Sequence, residues 1–303
     1  MIIDLIQPHA GMGNQLFMYA AGLALSQRLN TELTLDTWGY DEPDVRGNFL
    51  DKFPNITERR AKLSEIWKFA KAQAVVDYLG IRGHSIYKHP FRRLLYELLS
   101  RSGMLKNGRI YCEDNNYYDY LRNAPNNIYL SGYWASENFF ADSKELVRKK
   151  FTFSSDCFNP ELSNKIKACN SVAIHIRRGD KVTRKDFLAS DDNYTRHAIE
   201  KISSLTQEIK FFVFSDDIAW CRENLPKIYE ADYTYIEGQT AQQDMALMSI
   251  CKHVIMGPST FSWWGAWLND NPKKIIIAPD LNLWLPGQIV SDDLLPSDWI
   301  RCN

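Results

Sequence analysis

Hydrophobic positions fall into two stretches of regular pattern separated by a less regular one. Residues 2–6 form a short apolar run, and a glycine loop follows, Gly11-Met12-Gly13. Leu16, Phe17, Ala20, Leu23 and Ala24 then recur on neighbouring turns, which predicts a helix over 14–28. Residues 31–36 alternate, with Leu33 and Leu35 on one face. Strand, loop, helix and strand in this order have the length of a βαβ unit. From about 38 to 127 the chain is rich in Arg, Tyr, Asn and Pro. It is read as helical and loop insertion, with helices over 61–79 and 90–99. A strand over 128–133 and a charge-rich helix over 137–150 follow.

A second series begins near residue 170. It predicts strands over 171–176, 210–214, 233–237, 253–256 and 274–278, the last closing the series. Helices over 193–207, 217–224, 241–251 and 261–269 alternate with them. Such alternation argues for a parallel α/β sheet covered on both faces. Two series in one chain predict two Rossmann-like domains facing across a cleft. The N-terminal domain is placed at 1–155 and the C-terminal at 156–303, with the boundary falling between 151 and 170.

Composition narrows the class. A chain of 303 residues with 45% apolar and 24% charged positions is ordinary for globular protein and long enough for two domains. The formal net charge of −1 gives no electrostatic signature of a nucleic-acid partner. The first apolar run is too short for a signal peptide or a membrane anchor and contains Asp4, and no later run is long enough to span a bilayer. A cytoplasmic protein without a transmembrane segment is expected, with peripheral association at the inner face of the membrane left open. The six cysteines are scattered and form no C-x-x-C pair. They are read as free thiols in a reducing compartment, the alternative being a secretory enzyme with some of them bridged.

Four segments carry candidate chemistry. In His9-Ala10-Gly11-Met12-Gly13-Asn14-Gln15 the glycines allow close approach of a ligand to a helix N-terminus, though Asn14 as a plain helix cap explains them equally. The loop lacks the Gly-Lys-Ser/Thr of a P-loop and the third glycine of G-x-G-x-x-G. In His175-Ile176-Arg177-Arg178-Gly179-Asp180 an apolar strand ends in a polar cluster, where ligands of α/β sheets bind. Alternation puts His175 and Arg177 on one face and Arg178 on the other. An arginine there can hold a phosphate through two parallel hydrogen bonds, and Asp180 can hold an arginine; an ion pair at a strand end is the alternative. After the next strand, Ser215 or Asp216 is expected to cap a helix, and Asp216 to touch a ribose or sugar hydroxyl. The adjacent Asp216 and Asp217 would point apart, and no Asp-x-Asp spacing occurs for a divalent ion bridging a diphosphate. In the fourth segment Asp244 lies near a helix start, and Ser259-Thr260-Phe261-Ser262 leads from strand into helix with hydroxyls and free N–H groups suited to phosphate. Met245, Met248 and at least two of Trp263, Trp264 and Trp267 are read as packing.

Three of these segments resemble a known family. His175-Ile176-Arg177-Arg178-Gly179-Asp180 is similar to the H-x-R-R-G-D motif of α-1,2-fucosyltransferases, of bacterial type. Gly11-Met12-Gly13-Asn14-Gln15-Leu16-Phe17-Met18-Tyr19-Ala20 is similar to that family's G-x-G-N-Q-L-F-Q-Y-A, and Ser259-Thr260-Phe261-Ser262-Trp263-Trp264 to its S-T-F-S-W-W. The motifs stand in the family's order, and the resemblance spans nearly the whole chain. Met18 departs where Gln is common, and Lys181 where an aromatic residue often follows.

The resemblance implies a GT-B architecture and an inverting transfer of L-fucose from GDP-β-L-fucose to the 2-hydroxyl of a β-galactoside in a glycan. It implies a donor site in the C-terminal domain, with His175 and Asp244 on guanine and Arg177 on the β-phosphate. Ser259, Thr260, Phe261 and Ser262 would bind phosphate oxygens, and Arg178 would act as support or as a second contact. Arg177 and Asp180 are the expected catalytic residues. His9, Gly11, Gly13, Asn14 and Gln15 are expected to orient acceptor or fucose. No cofactor and no metal are expected. His9, Asp180 and Asp4 are candidates for the base by position only. Other fucosyltransferases, forming α-1,6 or protein O-linked products, and a non-catalytic GDP-sugar-binding protein remain alternatives.

Overall fold

A computed structural model describes residues 2–4, 10–37, 47–62, 64–66, 110–112, 124, 128–178, 192–284 and 293–303. The chain divides into two compact units, Met1–Thr152 and Phe153–Asn303.

The first unit holds a sheet of β1 (Ile2–Asp4), β2 (Thr34–Asp36), β3 (Ile110–Cys112) and β4 (Tyr129–Ser131) in the order β2-β1-β4-β3, with every neighbour parallel. β3 falls in the stretch read as helical and loop insertion, because three residues are too few to show a period. Helix α1 (Met12–Arg28) starts earlier than its apolar spacing indicates. Its N-cap is Gly11, so Asn14 stands in the first turn and not at the cap. Apolar residues surround α1, and all its positions from Met12 to Ser26 but Asn14 are buried, as expected of a helix inside a core. The Tyr19 hydroxyl donates to Glu58 Oε2 at 2.8 Å, and Lys150 pairs with the other Glu58 oxygen at 2.7 Å.

The helix expected over 137–150 is interrupted. A 3₁₀ segment, Glu137–Ser143, kinks at Phe140 (φ −128°, ψ 24°) before α2 (Lys144–Lys150) begins. Phe139 and Phe140 are both buried. Adjacent positions on a straight α-helix point about 100° apart, so burying both favours the kink. Phe140 packs on Phe17 of α1, and Arg28 donates to the Phe139 carbonyl at 2.6 Å. Apart from residues 61–62 and 64–66, the helices expected over 61–79 and 90–99 lie outside the described residues.

The second unit carries six parallel strands: β5 (Asn170–Ile176), β6 (Ile209–Ser215), β7 (Tyr233–Tyr235), β8 (His253–Ile255), β9 (Ile276–Pro279) and β10 (Ile300–Cys302). Their order is β10-β9-β8-β5-β6-β7. The chain starts in the middle at β5, runs out to β7, crosses back to β8 and continues to β10, which is the doubly wound Rossmann order. The strand over 274–278 therefore does not close the series, since β10 pairs beyond β9. Helices α3 (Pro160–Lys167), α4 (Asp192–Leu205), α5 (Ile218–Ile228), α6 (Ala241–Ser249) and α7 (Thr260–Trp267) complete the unit. α3 falls in the stretch read as boundary, although Asn159 caps it and Pro160 opens it, a regular start signal.

Val172, Ile174 and Ile176 of β5 pack with Phe211 and Val213 of β6 against Tyr194, Ala198, Ile199 and Ile202 of α4 and Cys221 and Leu225 of α5. Burial of both sheet faces explains the near-continuous apolar character of β5 and β6. Met245 and Met248 are fully buried, and so are Trp263 and Trp264; Trp263 donates its indole N–H to the Leu294 carbonyl at 2.8 Å. A Cβ on Gly265 would meet Met248 at 3.1 Å, so α6 and α7 pack closely there. Cys157, Cys169, Cys221, Cys251 and Cys302 are free thiols. Among the described residues no helix is long and apolar enough to cross a membrane.

Candidate active site

The carboxyl ends of β5 and β8 lie side by side, yet the connections leaving them run outward in opposite directions, to β6 and to β9. Such a divergence opens the crevice where doubly wound sheets bind ligands. The loops at this point are built from the H-x-R-R and S-T-F-S segments. His175, 8% exposed, is the second-last residue of β5, and its ring lies 5.5 Å from the Phe261 ring of α7. A Cβ on Gly257 would stand 2.7 Å from the His175 carbonyl oxygen and 3.2 Å from Nδ1, so only glycine lets the two loops approach. The buried Tyr194 hydroxyl anchors the same loop by donating to the Met256 carbonyl at 2.6 Å.

Arg177 follows His175 on the same side, and its Nη1 donates to Ser259 Oγ at 3.4 Å. Ser259 is the N-cap of α7, accepting from Phe261 N at 3.3 Å. One hydroxyl thus joins the arginine to a helix N-terminus, where anions are favoured. Thr260 and Phe261 are half-buried at the helix start. Ser262 is different: its buried hydroxyl reaches the Gly257 and Ser259 carbonyls, both at 3.1 Å. These bonds hold the loop in shape.

Arg178 turns to the opposite face. Its backbone N–H donates to Asp216 Oδ1 at 2.7 Å, and its guanidinium lies 3.7 Å over the Trp220 ring. Its Nε is 3.7 Å from Asp217 Oδ2, and the side chain is 15% exposed. These contacts hold the guanidinium beside α5, while its buried Nε has no hydrogen-bond partner among the described residues. The cap of α5 is Asp217, which accepts from Trp220 N at 3.0 Å, and neither Ser215 nor Asp216. Ser215 instead accepts from Asp217 N at 3.0 Å, and Asp216 positions the backbone of Arg178.

Asp244 lies in the first turn of α6, whose start is fixed by a capping box between Thr240 and Gln243. Oδ1 of Asp244 is buried without a hydrogen-bond partner among the described residues. Burial pushes its carboxyl from 3.8 up to about 7. A buried acceptor without a donor is rare enough to need an explanation, and a ligand N–H supplies one.

In the first unit Gln15 is tied into the backbone. It is fully buried; Nε2 donates to the Ala10 and Gly47 carbonyls at 3.1 and 3.0 Å, and Oε1 accepts from Phe49 N at 2.9 Å. Gly13 is buried, while Gly11 and Asn14 are half-buried. His9 and Asp180 lie outside the described residues, as does the Asp4 side chain.

The structure therefore brings His175, Arg177, Ser259 and Phe261 together, while Arg178 lies on Trp220 and Asp216 accepts from the Arg178 backbone. Gly257, Tyr194 and Trp220 were not singled out in the sequence. Gly257, immediately beyond a strand end, carried a readable signal; a tyrosine and a tryptophan at helical spacing read as core.

A Rossmann-ordered sheet with an arginine and a capped helix N-terminus at its switch point is the arrangement in which α/β enzymes bind nucleotides. The chain belongs to the family described as Glycosyl transferase family 11, whose profile matches residues 108–286. It is similar to the alpha-1,2-colitosyltransferase of Escherichia coli, at 33% identity over 96% of both chains. It is also similar to the human galactoside alpha-(1,2)-fucosyltransferase 1, at 30% identity over 46% of this chain and 42% of that one. Among solved structures it resembles the NodZ alpha-1,6-fucosyltransferase soaked with GDP-fucose, with a TM-score of 0.52 and 17% identity over 95% of this chain and 97% of that one. That likeness shows the fold, GT-B. The chain is thus a glycosyltransferase of the fucosyltransferase family.

Proposed function

We propose that this enzyme transfers L-fucose from GDP-β-L-fucose to the 2-hydroxyl of a β-galactoside with inversion, giving an α-1,2 linkage, without a metal ion. The observation that carries the reading is Arg177 held on the Ser259 cap of α7 at the β5–β8 switch point. Cleaving the fucose–phosphate bond leaves negative charge on GDP and positive charge on the sugar. A fixed guanidinium and a helix N-terminus aimed at the departing phosphate stabilise that state more than the ground state. Arg177 takes the β-phosphate, with the Thr260 hydroxyl and first-turn N–H groups of α7 beside it. His175 and Asp244 read guanine, the ionised Asp244 accepting from ring and amino N–H groups. Arg178 and Asp216 hold the loop that aims Arg177.

The names of the α-1,2 relatives support the linkage, and the human relative's name supports a galactoside acceptor. The colitosyl relative, similar over nearly its whole length, favours one second reading: the same transfer with colitose, which lacks the 3-hydroxyl of fucose, as the donor sugar. The test is transfer from GDP-fucose and from GDP-colitose to a panel of β-galactosides, with linkage analysis of the product. An α-1,2 fucoside is expected. An α-1,6 product, or GDP-fucose bound but never transferred, would overturn the reading.

A further inference from the structure

Arg177 and Arg178 are the first residues beyond β5, so the direction of Arg177 depends on how its neighbour is held. The Arg178 N–H belongs to the planar peptide that also carries the Arg177 carbonyl. Its bond to Asp216 Oδ1 at 2.7 Å ties that peptide to the end of β6. A single hydrogen bond to an exposed residue leaves the peptide able to swing about it. The second hold is the Arg178 side chain.

That side chain is held by a ring and not by an acceptor. Its Nε is buried without a hydrogen-bond partner among the described residues, and Asp217 Oδ2, 3.7 Å away, is beyond hydrogen-bond reach. The close contact is Trp220, whose ring centre lies 3.7 Å from the guanidinium carbon. A guanidinium over an indole face is attracted by the ring quadrupole and needs no acceptor. Trp220 is a firm base for it. It stands in the first turn of α5, its backbone N–H donates to the Asp217 cap at 3.0 Å, and its carbonyl accepts from Asn224 Nδ2 at 2.9 Å. Half-buried, it packs against the apolar core of β5, β6, α4 and α5.

We propose that Trp220 is a positioning residue of the transfer: its ring face holds Arg178, and through the shared peptide it keeps Arg177 aimed at the departing β-phosphate. The proposal rests on the reading of Arg177 as the group that takes that phosphate. A cation acting on charge that develops in the transition state is worth more to the rate than to nucleotide affinity. Loss of the ring therefore lowers kcat, while GDP affinity, carried also by the guanine contacts, changes little.

The test uses the whole chain with Trp220→Leu, which keeps an apolar contact with the core but has no ring face, and Trp220→Phe, which keeps a ring. Transfer from GDP-fucose, GDP affinity by calorimetry and the phosphorus NMR resonance of the β-phosphate of bound GDP are read, with thermal midpoints as the check on folding. Trp220→Leu should lower kcat about tenfold, the worth of a desolvated cation–π contact. It should leave GDP affinity nearly unchanged and move the β-phosphate resonance toward that of free GDP. Trp220→Phe should keep most of the rate. In an Arg178→Met background Trp220→Leu should cost nothing further, because the two side chains act as one unit. Wild-type kcat in folded Trp220→Leu would overturn the proposal, and so would an equally large loss in Trp220→Phe. Equal losses with and without Arg178 would assign Trp220 to the fold alone and also overturn it. If wild type shifts the β-phosphate resonance of GDP and Trp220→Leu reverses that shift, yet no fucose is transferred, the fucose reading fails and the positioning role stands. If the resonance of bound GDP is the same in wild type and Trp220→Leu, the positioning role fails whatever the donor sugar.

Discussion

At the scale of single residues, two groups carry the proposed donor chemistry. Arg177 is aimed by Ser259, and its neighbour Arg178 is immobilised on Trp220 and Asp217. Adjacent arginines alike in sequence thus meet different partners because alternation sends them to opposite faces. Asp244 carries the other test. Its carboxyl is raised by burial to about 7, so near neutral pH it is divided between protonated and ionised forms. The folded protein holds that proton where the unfolded chain, with an ordinary value of 3.8, has lost it. Its contribution to stability is therefore full below the unfolded value and falls as pH rises through about 7. Thermal midpoints between pH 4 and 8 should show this decline in wild type and a flatter profile in Asp244→Asn. If the ionised form accepts from guanine, GDP affinity should fall as pH drops below 7 in wild type and lose that dependence in Asp244→Asn, measured by calorimetry.

At the scale of elements, close approach of the β5 and β8 loops shapes the site. Gly257→Ala places a Cβ 2.7 Å from the His175 carbonyl oxygen, so backbone must shift at the end of β5. Overpacking of this kind costs about 1–3 kcal/mol, and GDP affinity should fall with it. Gly47→Ala meets nothing within 4 Å and should leave the thermal midpoint nearly unchanged, within about 0.5 kcal/mol. Asp217→Ala removes the cap of α5 and should cost about 1 kcal/mol, read by denaturant unfolding. Long elements were legible from period alone: α1, β5, β6 and α4 lie within a few residues of where their spacing put them. Elements of three residues, such as β3 and β10, were not, because pairing with a neighbour defines them and so short a run has no period. The kink at Phe140 was hidden for a related reason, since two adjacent buried phenylalanines depend on what packs over them.

At the scale of the whole molecule, the alternation of apolar runs predicted the α/β class, and the family expected from the resemblance is the one whose profile matches. What stayed hidden was how each polar residue is used. Gln15 and Ser262 stand in motifs that resemble ligand-binding segments, and both also make hydrogen bonds to backbone carbonyls that the motifs do not reveal. Only tertiary partners distinguish a donor aimed at ligand from one aimed at the chain. The same limit applies to Gly257, whose need for a bare Cα arises from His175, 82 positions away by number. The central claim is that a guanidinium carries the charge leaving with the nucleotide. The direct measurement is the rate of fucosyl transfer in excess EDTA by wild type and by folded Arg177→Ala. Wild type should keep its full rate, and the variant should lose about 10²–10³-fold. Loss of wild-type transfer on chelation, or normal turnover by the variant, would contradict the account.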